Sequence, residues 1–264
     1  MLKNLSRLVS AVIVAAGALT MAPAMGADLQ EIISAGKVRI GVPVDVPPFG
    51  SVDANNEAVG LDVELAGMIA EALGVELELQ QITGANRVPY LVTDRLDIVI
   101  AAMGATPERA LAIAFTSPYS ALSSGVFGPD SIDVTSVETL GSTSVAVARG
   151  TTQDLKLTAL APDATIIRFD DDATAAAAFL SGQAQLLATA DVVAKDLMDK
   201  NPGAELKAKF ILEFSPTYAG IQQGNPDLLR WLDTFIHVNL RNGTLSALSE
   251  KWIGNPLPTP FPSI

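Results

Sequence analysis

The chain has 264 residues, 49% of them hydrophobic, with 17 basic side chains against 29 acidic, a single histidine and no cysteine. Zinc cages, Cys/His pairs and disulfides are therefore excluded, and a net charge of −12 repels nucleic acid and anionic lipid. Stability must come from apolar burial alone, for which this length suffices.

The first residues carry a targeting pattern. Lys3 and Arg7 precede the apolar run Leu8 to Met21, and Ala22-Pro-Ala-Met-Gly-Ala27 offers small residues for cleavage within 24–27. The run is shorter than the ~20 residues that cross a bilayer, so residues 1–26 read as a secretory signal peptide. The exported, soluble chain keeps 15 basic against 29 acidic side chains, a net charge of about −14. Without a cysteine to lipidate, it is expected to diffuse freely in a periplasm. On so acidic a surface, a carboxylate ligand needs a locally positive pocket.

Leu29 to Ala35 reads as a short helix and Lys37 to Val42 as the first strand. Three prolines make Pro43 to Gly50, PVDVPPFG, a stiff loop at that strand's carboxyl end, where open α/β sheets bind ligands. Asp45 and Phe49 are its side chains with most to offer a ligand. Asp53 to Glu57 reads as a polar hairpin tip, and a calcium loop fails there because Ala58 stands where the turn glycine belongs. A helix opens at Gly60, with apolar positions 61, 65, 68, 69, 72 and 73, and ends at Gly74. Val75 to Ile82 is the second strand, and Thr83-Gly-Ala-Asn86 turns into a helix carrying Asn86 and Arg87 in its first turn. Arg87 can reach the far end of a ligand or pair with Asp94 or Asp97.

Residues 97–119, DIVIAAMGATPERALAIAFTSPY, organise the rest. Asp97 to Ala102 is a buried parallel strand, Met103 to Ala105 a turn, and Thr106-Pro107 a helix start in which threonine caps and proline takes N1. Arg109 in that first turn opposes the helix dipole. A guanidinium beside free amides makes an anion site, although the spacing equally allows Arg109 to turn outward to Glu108 or another acid.

Ser120 to Gly128 is extended and leads to a polar linker, 129–140. A second βαβ series follows, with strands at 144–148, 165–169 and 185–189 and helices at 152–160, 171–181 and 192–200. At its head, Arg149-Gly-Thr-Thr-Gln-Asp154 fits a capping box from Thr151 to Asp154 and also a second anion half-site. Asp170, Asp171 and Asp172 crowd a helix start, where they satisfy amides rather than a metal. Phe210 to Gln223 is a return crossing, and helices from Asn225 to Leu240 and onward to Trp252 close the chain.

Several stretches together resemble family 3 of the periplasmic solute-binding proteins, the polar amino-acid-binding components of ABC importers. They are the Asp97–Tyr119 run, GLDVELA (60–66), TGANRVPYL (83–91), Gly150-Thr-Thr152 and the tail from Gly224 to Gly254. The resemblance covers nearly all of residues 36–254. It implies an α/β fold of two βαβ lobes, the type II binding fold, joined by a two-strand hinge. Lobe 1 would be 28–120 plus 222–264, lobe 2 125–212, and the hinge segments 120–128 and 213–222. It implies that Arg109 holds the ligand's carboxylate, with Gly104, Thr106, Thr151 and Thr152 completing its hydrogen bonds. Asp45 or Asp191 would take an ammonium, and Phe49, Asn86 and Arg87 complete the expected contacts. The implied protein is a monomer without metal or cofactor that binds a small amino acid or related carboxylate and delivers it to a membrane permease.

This sequence departs from the family pattern at four places. Val46 and Gly84 stand where relatives often carry aromatic rings, Gly104 where serine is common, and Ala190 where many have the ammonium-binding acid. Two other functions stay open: a periplasmic dehydratase acting on prephenate or arogenate through Asp45 or Asp191, and a soluble receptor feeding a sensor. An enzyme finds few reagents here, since His237 lies among core-like neighbours in a C-terminal helix and no phosphate loop or GxGxxG occurs.

Overall fold

The computed structural model describes residues 28–261, so the signal-peptide reading of 1–26 lies outside the described residues. The chain opens with α1 (Leu29–Ala35), capped by Asp28, whose carboxylate accepts from Glu31 N at 2.9 Å. Next come β1 (Lys37–Pro43), the hairpin β2 (Ser51–Val52) and β3 (Ala58–Val59), α2 (Leu61–Leu73), β4 (Glu76–Ile82), α3 (Arg87–Val92), β5 (Ile98–Met103) and α4 (Pro107–Ala110). The long strand β6 (Ile113–Gly128) leads to β7 (Ser144–Ala148), α5 (Thr152–Leu160), β8 (Thr165–Phe169), α6 (Asp172–Leu180), β9 (Leu186–Ala190) and α7 (Asp191–Lys200). A second long strand, β10 (Lys207–Gln222), returns before α8 (Pro226–Arg241) and α9 (Thr244–Ile253).

Eight strands form one sheet in the order β4-β1-β5-β10-β6-β9-β7-β8. At one end β1 runs parallel to β4 and β5, and at the other β7 runs parallel to β8 and β9. β6 and β10 run antiparallel to each other between them. The Tyr218–Ile221 end of β10 pairs with β5, and the Ser124–Phe127 end of β6 pairs with β9. The two crossings are thus continuous strands of one sheet, and each βαβ series is a lobe built on one end of it.

Helices cover both faces of each lobe. α2 buries Leu61, Leu65, Ala66, Ile69 and Ala70 against β1 and β5, while Ala72, expected on that face, is exposed. α8 buries Leu228, Leu232 and Ile236, four residues apart, in the same core. α9 returns to α2 through Trp252 Nε1 and Lys251 Nζ, which donate to Glu64 Oε2 at 2.8 and 2.6 Å. The opposite face of that lobe packs Leu91, Val99, Met103 and Ile113. In the other lobe, Val145, Val147, Leu157 and Leu186 form one core and Ala146, Ala175, Leu187 and Leu206 the other. Ala190 and Val193 at the α7 start join the first lobe's core, so the lobes are in contact.

Candidate functional site

Two turns at strand ends face each other across the lobes. In the first, Thr106 Oγ1 accepts from Arg109 N at 3.2 Å, capping a single-turn helix with Pro107 at N1. In the second, Gly150 takes a left-handed φ of 72° and Thr151 caps α5. Thr151 Oγ1 accepts from Asp154 N at 3.3 Å and donates to Ala148 O at 2.8 Å. The returning bond of the expected capping box reaches one residue further back, from Gly150 N to Asp154 Oδ2 at 3.0 Å. Arg168 Nε donates to the other oxygen of Asp154 at 2.7 Å and fixes it.

Small residues let these turns touch. A Cβ on Gly104 would lie 2.7 Å from Ser215 Oγ and 3.2 Å from Thr152 Oγ1, and one on Gly84 would lie 3.0 Å from Arg149 O. Arg109 spans the contact. Its Nη1 donates to Gly104 O at 2.6 Å and its Nη2 to Gly150 O at 2.8 Å, one carbonyl from each lobe. Arg109 is 7% exposed, and burial, reinforced by the nearby Arg87 charge, lowers its pKa to about 10.

Beside this contact lies a cavity of about 30 Å³. Val46, Arg87 and Ala102 line it from one lobe, Leu122, Ser124 and Ser215 from the crossing strands, and Thr151, Thr152, Gln153, Asp172 and Ala190 from the other lobe. Ala102 is a non-glycine residue at φ 45°, a strained conformation at the cavity wall. Its N–H donates to Asp62 Oδ2 at 2.8 Å, and Tyr119 Oη donates to Asp62 Oδ1 at 2.8 Å, so a fully buried carboxyl braces the strained residue. Burial pushes the Asp62 pKa up to about 7 despite these donors.

Asp172 is 7% exposed and accepts from Thr189 Oγ1 at 3.0 Å, while its own N–H donates across the lobes to Asp45 Oδ2 at 2.8 Å. Burial first, then the Asp45 charge, raise its pKa to about 7, with Arg87 opposing.

The sequence-predicted residues divide accordingly. Arg87, Thr151 and Thr152 line the cavity, and Gly104, Thr106 and Arg109 form the adjoining contact. Phe49 does not belong to either, because it is 0% exposed within the hydrophobic core. Asn86 is also outside the cavity lining and turns its amide back to Thr83 Oγ1 at 3.3 Å. Asp191 spends Oδ1 on Val192 N at 2.8 Å and Ser123 N at 3.3 Å, again outside the lining. Asp45 holds Asp172 N rather than lining the cavity itself, and its Oδ1 is buried without a partner. His237 is on the exposed face of α8.

Four polar lining residues, Ser124, Gln153, Asp172 and Ser215, were not among the expected binding residues. Asp172 looked like one of three helix-start acids, and only burial separates it from exposed Asp170. Ser124 and Ser215 sit in extended stretches with no local signal. Among the described residues no cluster of three or more His, Asp or Glu could hold a metal, and no helix is long and apolar enough to cross a membrane.

Residues 38–255 match the family model for bacterial extracellular solute-binding proteins, family 3. The chain is 29% identical over 222 residues to the putative ABC transporter arginine-binding protein 2 of Escherichia coli K12, covering 81% of this chain and 90% of that one. Its structure is similar to that of a solute receptor for L-cysteine from Neisseria gonorrhoeae, with TM-score 0.80, 32% identity and coverage of 86% and 94%. It also resembles an ancestral amino acid-binding protein described as a precursor of cyclohexadienyl dehydratase, with TM-score 0.75, 30% identity and coverage of 85% and 98%. The match over most of the chain, on a two-lobe fold with a cavity between the lobes, shows that this protein belongs to the family 3 bacterial extracellular solute-binding proteins.

Proposed function

We propose that the protein is the periplasmic substrate-binding component of an ABC importer, closing its lobes on a small amino acid or related carboxylate and presenting them to the permease. The observation that carries this reading is the buried Arg109 guanidinium, whose two donors end on backbone carbonyls from opposite lobes. A carboxylate is the stronger, charge-assisted acceptor for such a fork and displaces those carbonyls when solute enters. The Thr152 hydroxyl and the free amides opening α5, a helix start that Thr151 caps, together with Gly104 and Thr106, complete its shell. Asp172, with Asp45 behind it, accepts an ammonium or hydroxyl of the solute.

Lobe 1 comprises 28–120 with 222–264, lobe 2 comprises 125–212, and the crossings between them flex. Register shifts in the β6–β10 pairing near Thr217, Tyr218 and Gly220 favour bending there. Export through the N-terminal signal and action as a monomer complete the reading.

The test is a melting-temperature screen of protein refolded free of bound solute against amino acids and organic acids. A solute at a hundred times its Kd adds about 2.7 kcal/mol of stability. Arg109→Ala is expected to remove that response, a loss of at least about a hundredfold in affinity, with the unliganded chain still folded. No stabilising solute for the folded wild type, or undiminished affinity in the variant, contradicts the reading.

A second reading, a dehydratase, rests on Asp172 at the cavity, whose pKa burial raises to about 7, and on the dehydratase-precursor neighbour. Product formed from prephenate supports it. Stabilisation without turnover supports transport.

A further inference from the structure

Helix α2 carries one acid in its buried face. Asp62 is 0% exposed beside Leu61, Leu65, Ala66 and Ile69, and its partners are Tyr119 Oη and the Ala102 N–H rather than a cation. A carboxyl in such a place is less favourable than an apolar side chain of similar volume, so packing alone does not account for it. What it holds is backbone.

That backbone is irregular. Where β5 pairs with β10, Val99 lies opposite Gly220 and Met103 opposite Tyr218, so Ile100, Ala101 and Ala102 face the single residue Ala219. Side chains take the amides that this bulge turns away from the ladder. Ala219 N donates to Thr116 Oγ1 at 3.1 Å, and Ala102 N donates to Asp62 Oδ2 at 2.8 Å and to Tyr119 Oη at 3.2 Å. An alanine keeps the φ of 45° seen at Ala102 only where its surroundings over-determine it. Ala102 lines the interlobe cavity, and two residues on, Gly104 O accepts from Arg109 Nη1 at 2.6 Å. A buried acid and a strained alanine, each unfavourable alone, thus meet where β5 runs into the site.

We propose that Asp62 and Tyr119 are positioning residues for solute binding, holding β5 in the bulged, left-handed turn at Ala102 that sets Gly104 against Arg109 and the other lobe. This rests on the binding reading above. Neither side chain lines the cavity, and both act through the Ala102 amide. With the carboxyl gone, that amide loses its nearer acceptor and Ala102 relaxes toward the extended backbone its side chain prefers, carrying the Met103–Ala105 turn out of register with Arg109. Ala102→Gly removes the Cβ that drives this relaxation and makes the carboxyl dispensable.

The test joins backbone NMR to calorimetry on the mature chain, refolded free of bound solute. Without solute, chemical shifts and the HN–Hα coupling are expected to report a positive φ at residue 102 in wild type and in Asp62→Asn, whose amide keeps an acceptor for Ala102 and a donor for Tyr119. In Asp62→Leu the same residue is expected to be extended. The probes for calorimetry are the proteinogenic L-amino acids, succinate and L-malate. Asp62→Leu is expected to bind the wild type's tightest probe at least about tenfold more weakly, the scale of one left-handed residue released. Asp62→Asn, and Asp62→Leu combined with Ala102→Gly, are expected to lose less than about threefold, because the two sites are coupled. Should Asp62→Leu not fold, Tyr119→Phe, which takes away one acceptor of Ala102 and the donor to Asp62, is read in the same way. A positive φ that survives the loss of the brace, or an equal loss of affinity with and without Ala102→Gly, overturns this inference and leaves the binding reading standing. No probe bound by the wild type overturns both.

Discussion

At the scale of residues, two arginines and an aspartate show what a sequence can and cannot assign. Arg109 was legible because a cation in a helix's first turn opposes the dipole, and its burial between the lobes removes the outward pairing that spacing allowed. Arg87 was read as either a ligand contact or a partner of Asp94 or Asp97, and the choice depended on Arg39, distant in sequence, taking both acids. Asp172 was not legible, since three consecutive aspartates at a helix start look alike until one is buried against Thr189 and Asp45.

Asp172 carries a pH prediction. Burial, then Asp45 and more weakly Asp171, raise its pKa to about 7 from a usual value near 4, while Arg87 and Thr189 oppose. The folded, unliganded state therefore holds this proton more tightly than the unfolded chain, and its stability contribution declines as pH rises from about 4 to about 7. In urea unfolding, Asp172→Asn is expected to gain stability relative to wild type across that window, by up to roughly 1.4 kcal/mol per pH unit. A difference between the two that does not change with pH contradicts the assignment.

Among elements, the strongly patterned ones were read nearly to the residue, including the strands at 144–148 and 165–169 and the helix at 152–160. Their signals are local: β-branched runs, a threonine cap and a proline at N1. Which loop residues reach the cavity is set by packing between distant elements, and there the sequence misdirected. Phe49 looks available in a proline-rich loop but fills the core against α2, and Val46 three residues earlier reaches the cavity instead. Gly104 makes the element-scale prediction, because the lobes meet where it lacks a side chain. Gly104→Val is expected to lower solute affinity at least about tenfold with a smaller effect on the unliganded melting temperature, since branched carbons would collide with Ser215 and Thr152 where the lobes meet. Unchanged affinity by calorimetry contradicts a closed state with this contact.

For the whole molecule, two βαβ series and two extended crossings were enough to expect two lobes. That the crossings are 16-residue strands, fusing both lobes into one eight-stranded sheet, was not visible, because pairing between residues about a hundred positions apart leaves no local trace. The central claim is that this ribbon bends to shut the lobes on a carboxylate. The absence of native cysteine makes it directly testable with two spin labels, at Val52→Cys and Leu180→Cys, exposed positions on opposite lobes that border one groove. In a pulsed dipolar distance measurement, the solute identified by the melting screen is expected to convert a broad, longer distribution into a narrow, shorter one in the wild-type background, and to leave it unchanged with Arg109→Ala. A distribution that stays the same while wild-type protein is saturated with solute would contradict closure around Arg109.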